Sequence, residues 1–169
     1  AFAKRGIEIA AAGGHGLLLC GPPGSGKSML AQRLPGLLPA LSTEDSLEVA
    51  RIRGVAGLSD TPPTQCPFRA PHHSASRAGL IGGGNPPRPG EVSLAHLGVL
   101  FLDELTEFDR QSLESLRQVI ELRHIAIARA AFSCVLPADF QLVAACNPCP
   151  CGWYRSGVRD CRCDVASIL

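Results

Sequence analysis

The sequence predicts an α/β fold with a mainly parallel sheet, and three features of the chain support this fold class. Strand-like apolar runs alternate with segments of helical periodicity along the 169 residues. A glycine-rich loop over 21–28 joins the first apolar run to a helix-compatible segment. Two later apolar runs, 98–102 and 141–146, resemble buried strands. This alternation favours one sheet with helices packed against it.

The elements of the N-terminal part follow from the apolar pattern and from turn residues. We expect a short helix over 2–12, closed by two glycines, and a first core strand over 15–20. A helix over 28–34 follows the glycine-rich loop and ends at a Pro-Gly pair, because proline cannot continue a helix. Ser42 and Asp45 then form a helix-start pattern that predicts the next helix.

The remaining elements divide into a long irregular stretch and a regular C-terminal part. The stretch 54–90 is dense in proline and glycine, and such a long loop usually carries function or is mobile. After the strand at 98–102, Asp109 opens a helix. Two alternating runs within 123–137 predict a β-hairpin, and 141–146 is a third buried strand. The predicted apolar face of the helix consists of Leu113, Leu116, Val119 and Ile120.

The loop over 21–28 matches the pattern G-x-x-x-x-G-K-[ST], which is typical of nucleotide phosphate binding. Its glycines allow a tight turn with the backbone N–H groups pointing at the ligand. We expect Lys27 to reach the outer phosphates and the Ser28 hydroxyl to hold Mg²⁺. The predicted nucleotide-binding residues are Gly21, Pro22, Pro23, Gly24, Ser25, Gly26, Lys27, Ser28 and Met29.

Polar side chains follow the second and third buried strands. Asp103 and Glu104 end the second strand, at the sheet edge where ligands bind in such folds. Asp103 is placed to hold Mg²⁺, and Glu104 is placed to deprotonate an attacking water. Asn147 ends the third strand, where an amide could contact the γ-phosphate or the water. From spacing alone, Asn147 could equally be a turn residue.

Composition excludes several classes of protein. The net charge is +1, so any contact with nucleic acid must be local. No stretch approaches the about 20 apolar residues of a membrane span. The segment 2–12 is too short and too charged for a signal peptide. The phosphate-binding loop favours the cytosol, where the eight cysteines stay reduced, so we expect a cytoplasmic protein. The abrupt ends of 1–169 suggest a fragment.

Together, the loop, the Asp-Glu pair and the polar residue after the third strand resemble the AAA+ ATPases, a group of three-layer P-loop NTPases. The segments 10–15, 68–74 and 146–152 further resemble the magnesium-chelatase-like branch, and within it the bacterial ComM/YifB group. The resemblance runs from about Lys4 to the end of the chain.

The resemblance implies a hexameric DNA helicase that hydrolyses ATP with Mg²⁺ and aids branch migration during natural transformation. It implies that Asn147 is the sensor residue, acting with Glu104 and Lys27. The insertion of this branch would lie within 54–90, and 123–137 would be a pre-sensor hairpin facing a central pore. The helical lid and the arginine finger would lie outside the chain.

Several basic residues are candidates for contact with DNA phosphates. Each of them alone is more often an exposed polar side chain than a DNA contact. Those flanking the hairpin are Arg123, His124 and Arg129. Those in the long stretch are Arg69, His72, His73 and Arg77.

The cysteines fall into two groups. Cys20 and Cys134 lie in apolar runs and are expected in the core. Two C-x-C pairs lie in the segment 146–163, and four thiolates are natural ligands of Zn²⁺. The usual spacing is C-x₂-C, so incidental loop thiols remain an alternative. The paired residues are Cys149, Cys151, Cys161 and Cys163.

Two other functions remain open. One is a magnesium-chelatase ATPase subunit that drives Mg²⁺ insertion into a porphyrin, although chelatase subunits lack the cysteine-rich stretch. The other is a nucleotide-dependent binding module without turnover of its own. DNA-stimulated ATP hydrolysis would distinguish the three.

Overall fold

A computed structural model of the chain describes residues 2–84, 86–129, 132–164, 166 and 168, and the side chains at 128, 129 and 132 lie outside this description. The helices are α1 (Phe2–Gly13), α2 (Lys27–Ala31), α3 (Thr43–Val55), α4 (Arg77–Ile81), α5 (Glu91–Leu94) and α6 (Arg110–Leu122), with 3₁₀ turns at Leu34–Leu37 and Leu105–Glu107. The strands are β1 (Leu17–Cys20), β2 (Phe68–Arg69), β3 (Gly82–Gly83), β4 (Arg88–Pro89), β5 (Val99–Leu102), β6 (His124–Arg129), β7 (Phe132–Pro137) and β8 (Gln141–Cys146).

The central sheet has four strands in the order β1-β8-β5-β2, and all its pairings are parallel. The strand β8, last in the chain, lies between β1 and β5, with Val143 opposite both Leu17 and Phe101. The predicted hairpin is confirmed as the antiparallel pair β6-β7, separate from the central sheet. Its tip residues, Ala130 and Ala131, lie outside the described residues.

Alternate residues of β5 divide the core into two layers. Val99 and Phe101 pack with residues of α1 and α2, including Ile7 and Ala31. Leu100 and Leu102 pack instead with residues of the helices α4, α5 and α6 and of the hairpin. Helices therefore cover both faces of a parallel sheet, and the predicted three-layer α/β fold is confirmed.

Both predicted helix starts are confirmed by their caps. The Ser42 side chain accepts a hydrogen bond from the Asp45 backbone N–H at the start of α3. Asp109 accepts one from the Ser112 backbone N–H at the start of α6. The apolar face of α6 was predicted too widely, because Ile120 is 43% exposed while Leu116 and Val119 are buried.

The stretch 54–90 contains more regular structure than its composition predicts. The two residues of β2 pair with β5 and form one edge of the sheet, and α4 is capped by the Ser76 side chain. The prediction of a wholly irregular stretch is therefore wrong. Its assignment as an insertion, together with the boundaries 123–137 and 146–163, stays a prediction.

The first strand is only half covered. β1 lies at one edge of the four-stranded sheet, so Leu17 and Leu19 are partly buried while Leu18 is 57% exposed. The prediction that Cys20 lies in the core is wrong, because Cys20 is one of the exposed alternate residues. Cys134 is partly buried and packs against the larger core cluster. Among the described residues, no helix combines the length and apolarity needed to cross a bilayer.

Candidate functional site

The phosphate-binding loop leaves the carboxyl end of β1 and enters α2. Gly24 and Gly26 have positive φ angles of 74° and 85°, a conformation that favours glycine over residues with a Cβ. These angles agree with the tight turn that the sequence predicts. It lies beside the ends of β8 and β5 because these strands are the next two in the sheet.

Lys27 is held at the start of α2 by three acceptors. Its Nζ donates to the backbone oxygens of Gly21 at 2.7 Å and Pro22 at 3.1 Å. It also donates to Asn147 Oδ1 at 3.1 Å. The structure thus brings together the lysine of the loop and the polar residue after β8, which are 120 positions apart. The ammonium group therefore contacts three oxygen atoms of the chain itself.

Ser28 and Asp103 form the second contact across the site. The Ser28 hydroxyl donates to Asp103 Oδ2 at 2.6 Å, and Asp103 Oδ1 accepts from the Glu104 backbone N–H at 3.0 Å. Neighbouring ligands of an octahedral Mg²⁺ with bonds of about 2.1 Å lie about 2.9 Å apart. A hydroxyl and a carboxylate oxygen at this separation fit two adjacent positions around one Mg²⁺.

Glu104 follows Asp103 with its carboxylate half exposed. Its backbone is left-handed, with φ of 52°, and non-glycine residues in this region concentrate at functional sites. Glu104 Oε2 lies 3.2 Å from His73 Nδ1. The carboxylate predicted to activate water therefore already has an imidazole partner.

His73 is a site residue that sequence reasoning missed. The sequence makes it a candidate DNA contact, and the structure places it against Glu104, with its ring centroid 4.1 Å from that of His72. It reaches the site because β2 neighbours β5, so the loop after β2 passes the end of β5. A two-residue strand in a proline-rich stretch gives no periodic signal, so the sequence offered no way to recognise this neighbour.

Most predicted residues line one open cavity of about 380 Å³. Gly21 and Pro22 do not line the cavity, and their backbone oxygens accept hydrogen bonds from Lys27 Nζ. Cys146 lines the cavity although it was not predicted to, and burial raises the pKa of its thiol. The lining residues are Pro23, Gly24, Ser25, Gly26, Lys27, Ser28, Met29, Asp103, Glu104, Cys146 and Asn147.

The four cysteines beyond Asn147 form a second cluster, and their sulfur atoms all lie within 4.8 Å of one another. A hydrogen bond from the Trp153 backbone N–H lowers the pKa of Cys151 to about 6. The pKa of Cys161 rises to about 12, because burial and the thiols of Cys149 and Cys151 outweigh the Cys163 backbone N–H. Adjacent thiols resist joint ionisation without a cation between them. That Zn²⁺ occupies the cluster stays a prediction.

Two of the candidate DNA contacts at the hairpin have partners within the chain. Arg123 pairs with Asp139 at 3.2 Å, and His124 Nδ1 lies 2.8 Å from the Leu122 carbonyl oxygen. The side chain of Arg129 lies outside the described residues. Contact of these residues with DNA stays a prediction.

The other basic candidates lie in the long stretch. Arg69 forms a bidentate ion pair with Glu91, in which Nε donates to Oε2 at 2.6 Å and Nη2 donates to Oε1 at 2.8 Å. The hydrogen bond to this carboxylate raises the pKa of the guanidinium. The pair joins β2 to α5 and so has a structural role. His72 Nδ1 lies 2.8 Å from the Ser74 hydroxyl, and Arg77 begins α4.

Comparison with known proteins places this geometry among relatives. A model of the family described as "Magnesium chelatase, subunit ChlI" matches residues 1–169. The chain is 54% identical to the "Uncharacterized protein YifB" of Escherichia coli strain K12, covering 94% of this chain and 32% of that protein. It is 54% identical to the "Competence protein ComM" of Haemophilus influenzae, covering 90% and 30%. The chain therefore spans about a third of the length of these relatives.

More distant similarities reach other proteins. The chain is 29% identical to the "Magnesium-chelatase 67 kDa subunit" of Chlorobaculum parvum, covering 86% of this chain and 21% of that protein. Solved structures of NtrX from Brucella abortus, in complex with ADP and with ATP, superpose with a TM-score of 0.59. The ADP complex is 17% identical, and the match covers 86% of this chain and 28% of the NtrX chain. The ATP complex is 18% identical, and the match covers 94% of this chain and 32% of the NtrX chain. At this identity the likeness shows the fold alone.

Proposed function

This chain belongs to the family of magnesium chelatase subunit ChlI, as an AAA+ module of the ComM/YifB type, and we propose that it binds and hydrolyses ATP. The observation that carries the proposal is the convergence of two pairs in one cleft. Lys27 meets Asn147, and Ser28 meets Asp103, each across more than 70 positions of sequence. Such a set would serve phosphoryl transfer, which depends on positioning and on neutralising charge.

Binding of the triphosphate would exchange the partners of Lys27. The ammonium group turns from the backbone oxygens of Gly21 and Pro22 to the phosphate oxygens, and the glycine-rich backbone donates N–H groups to them. Mg²⁺, when bound between Ser28 and Asp103, would neutralise phosphate charge. Asn147, released by Lys27, can then donate its amide to the γ-phosphate or to the attacking water.

Glu104 is the residue that we propose as the general base. A carboxylate at the end of β5 can accept the proton of a water aligned with the γ-phosphate. In the structure its Oε2 contacts His73 Nδ1. Before Glu104 can accept a proton from water, this contact must lengthen, or the other carboxylate oxygen must accept the proton. Turnover would therefore depend on movement of the loop after β2.

We further propose that the longer protein is a cytoplasmic, hexameric DNA motor of helicase type that acts in natural transformation. The 54% identity to a protein named for competence supports this over a chelatase role, since the chelatase relative is 29% identical. The hairpin β6-β7, with Arg123 and His124 at its base and Arg129 near its tip, is the element that we propose for contact with DNA. The family model itself keeps the chelatase subunit as a second candidate.

The deciding experiment measures ATP hydrolysis by the full-length protein with and without branched or single-stranded DNA. We expect Mg²⁺-dependent turnover that DNA stimulates. Glu104→Gln should bind a fluorescent ATP analogue normally and lose turnover, because an amide cannot accept the proton. Turnover that ignores DNA but responds to a porphyrin and partner subunits would favour the chelatase role. Nucleotide binding without turnover in the wild type would leave a binding module.

A shorter piece makes a further test of the proposed site. An arginine finger supplied by a neighbouring subunit can contribute about 10³–10⁵ in rate. We therefore expect the piece 1–169 to bind nucleotide and hydrolyse it far more slowly than the full-length protein. Equal rates would mean that every catalytic group lies within these residues.

A further inference from the structure

The four cysteines after Asn147 are arranged as ligands of a single ion. Cys149 Sγ lies 3.5 Å from Cys151 Sγ and 3.7 Å from Cys161 Sγ, and the last two lie 3.7 Å apart. A tetrahedral Zn²⁺ with Zn–S bonds of about 2.3 Å holds its sulfur atoms about 3.8 Å from one another. The observed separations match that figure within a few tenths of an ångström.

The same distances exclude other arrangements of these thiols. A disulfide needs sulfur atoms about 2.05 Å apart, and all eight cysteines are free. An iron–sulfur cluster distributes its cysteines over several irons, whereas here all four sulfur atoms lie within 4.8 Å of one another. The separations fit a single tetrahedral ion with four sulfur ligands, and zinc favours such a ligand set.

Backbone N–H groups support the thiolates in this cluster. The Cys151 N–H donates to Cys163 Sγ at 3.3 Å, and the Cys163 N–H donates to Cys161 Sγ at 3.5 Å. Outer hydrogen bonds of this kind orient metal ligands and stabilise their charge. The two C-x-C turns are therefore folded around their own sulfur atoms, 12 positions apart in sequence.

The segment 149–163 that carries the four cysteines also lies against the phosphate-binding loop. Gly152 has φ of 80°, and a Cβ added there would lie 2.6 Å from Pro23 Cδ and 3.7 Å from Asn147 Cγ. Its backbone N–H donates to the carbonyl oxygen of Cys149, which is only 4% exposed. One residue, Pro148, separates that cysteine from Asn147. The cysteine cluster, Asn147 and the loop that contains Pro23 thus lie against one another.

We infer that Cys149, Cys151, Cys161 and Cys163 bind one Zn²⁺, and that this centre holds Asn147 and Pro23 in the nucleotide-binding geometry. Four thiol protons leave to solvent as the four Zn–S bonds form. The nine-residue segment 152–160 between the two C-x-C pairs has little apolar core of its own, so the ion supplies its rigidity. The second half of the inference rests on the proposed nucleotide site, while the metal site stands independently of it.

Metal content of the full-length protein, purified under reducing conditions without added metal, tests the site. The double variant Cys161→Ser/Cys163→Ser should contain one zinc per chain fewer than the wild type, while Cys66→Ser should match the wild type. Cys66 is a matched control because it is a partly buried thiol far from the cluster in sequence. An unchanged zinc content in the double variant, or iron in place of zinc, would overturn the site.

A second measurement covers failure of the variant to fold. Co²⁺ exchanged into the wild-type protein should give the intense visible absorption of tetrahedral cobalt bound by thiolates. Spectra of octahedral cobalt would contradict the four-sulfur site.

Nucleotide affinity tests the coupling. At saturating Mg²⁺, the zinc-free double variant should bind a fluorescent ATP analogue about three- to tenfold more weakly, which is the net effect of losing about one ordinary hydrogen bond. Equal affinities would overturn the coupling and leave the metal site intact. If the wild type itself binds no nucleotide, the proposed function fails, and zinc content still decides the metal site.

Discussion

Replacing Gly152 by alanine should disturb the proposed nucleotide site, although Gly152 is not one of its lining residues. The backbone at Gly152 is left-handed, with φ of 80°, which costs a residue with a Cβ about 1–2 kcal/mol. The new Cβ would also lie 2.6 Å from Pro23 Cδ. Carbon atoms pack best at about 3.5–4.0 Å, so the two loops must separate by about 1 Å.

The magnitude follows from adding these two effects. Overpacking of this kind typically costs about 1–3 kcal/mol. Gly152→Ala should therefore lower the free energy of unfolding by about 2–5 kcal/mol. The chain offers a matched control in Gly157, whose φ is 70° and whose added Cβ would meet no atom within 4 Å. Gly157→Ala should show only the backbone cost of about 1–2 kcal/mol.

The assay is urea unfolding of both variants of the full-length protein, together with binding of a fluorescent ATP analogue. Gly152→Ala should weaken nucleotide binding, because displacement of Pro23 moves the loop that holds Lys27. Gly157→Ala should bind as the wild type does. Equal losses of stability in the two variants, with equal affinities, would refute the reasoning that Gly152 and Pro23 are in rigid contact.

Two further predictions concern charge. Lys27→Ala should abolish tight binding of the ATP analogue, because it removes a charge-assisted contact to phosphate. Lys4→Ala, on the exposed face of α1, should leave binding unchanged. Equal binding by both variants would contradict the site. Hydrogen bonds from Ser112 lower the pKa of Asp109 below its ordinary 3.8, so the carboxylate stabilises the fold above that pH and ceases to do so as pH falls through the lowered pKa. Asp109→Ala should lower the Tm at neutral pH, with the difference from wild type shrinking in acid, and Asp109→Asn should keep most of the Tm as an alternative cap; a deficit in Asp109→Ala that is independent of pH would contradict the linkage.

The parts of the site that were predictable from sequence lie where a motif is local. The loop pattern placed Lys27 and Ser28, and the ends of two buried strands placed Asp103 and Asn147. Parallel pairing then brings the ends of neighbouring strands together without any further signal. The placement of these four side chains at one sheet edge depends on this pairing and on little else, and their roles in nucleotide binding stay predictions.

The parts that failed depend on which elements become neighbours. His73 meets Glu104 only because β2 pairs with β5, and a strand of two residues leaves no alternation to detect. Cys20 is exposed because β1 is an edge strand, and strand order cannot be read from apolar content. The sulfur ligand set was visible in the sequence, but its contact with Pro23 through Gly152 was not.

The order β1-β8-β5 gives the phosphate cleft a fixed scale. Adjacent strands in a sheet lie about 4.8 Å apart. The points at which Gly21, Asn147 and Asp103 follow their strands are therefore spaced at this regular interval. Backbone hydrogen bonds between the strands fix this spacing, and side-chain substitutions do not change it. Substitutions in the strands would therefore do little to fit the cleft to a ligand of different length. Such a change would require a redesign of the loop over 21–28.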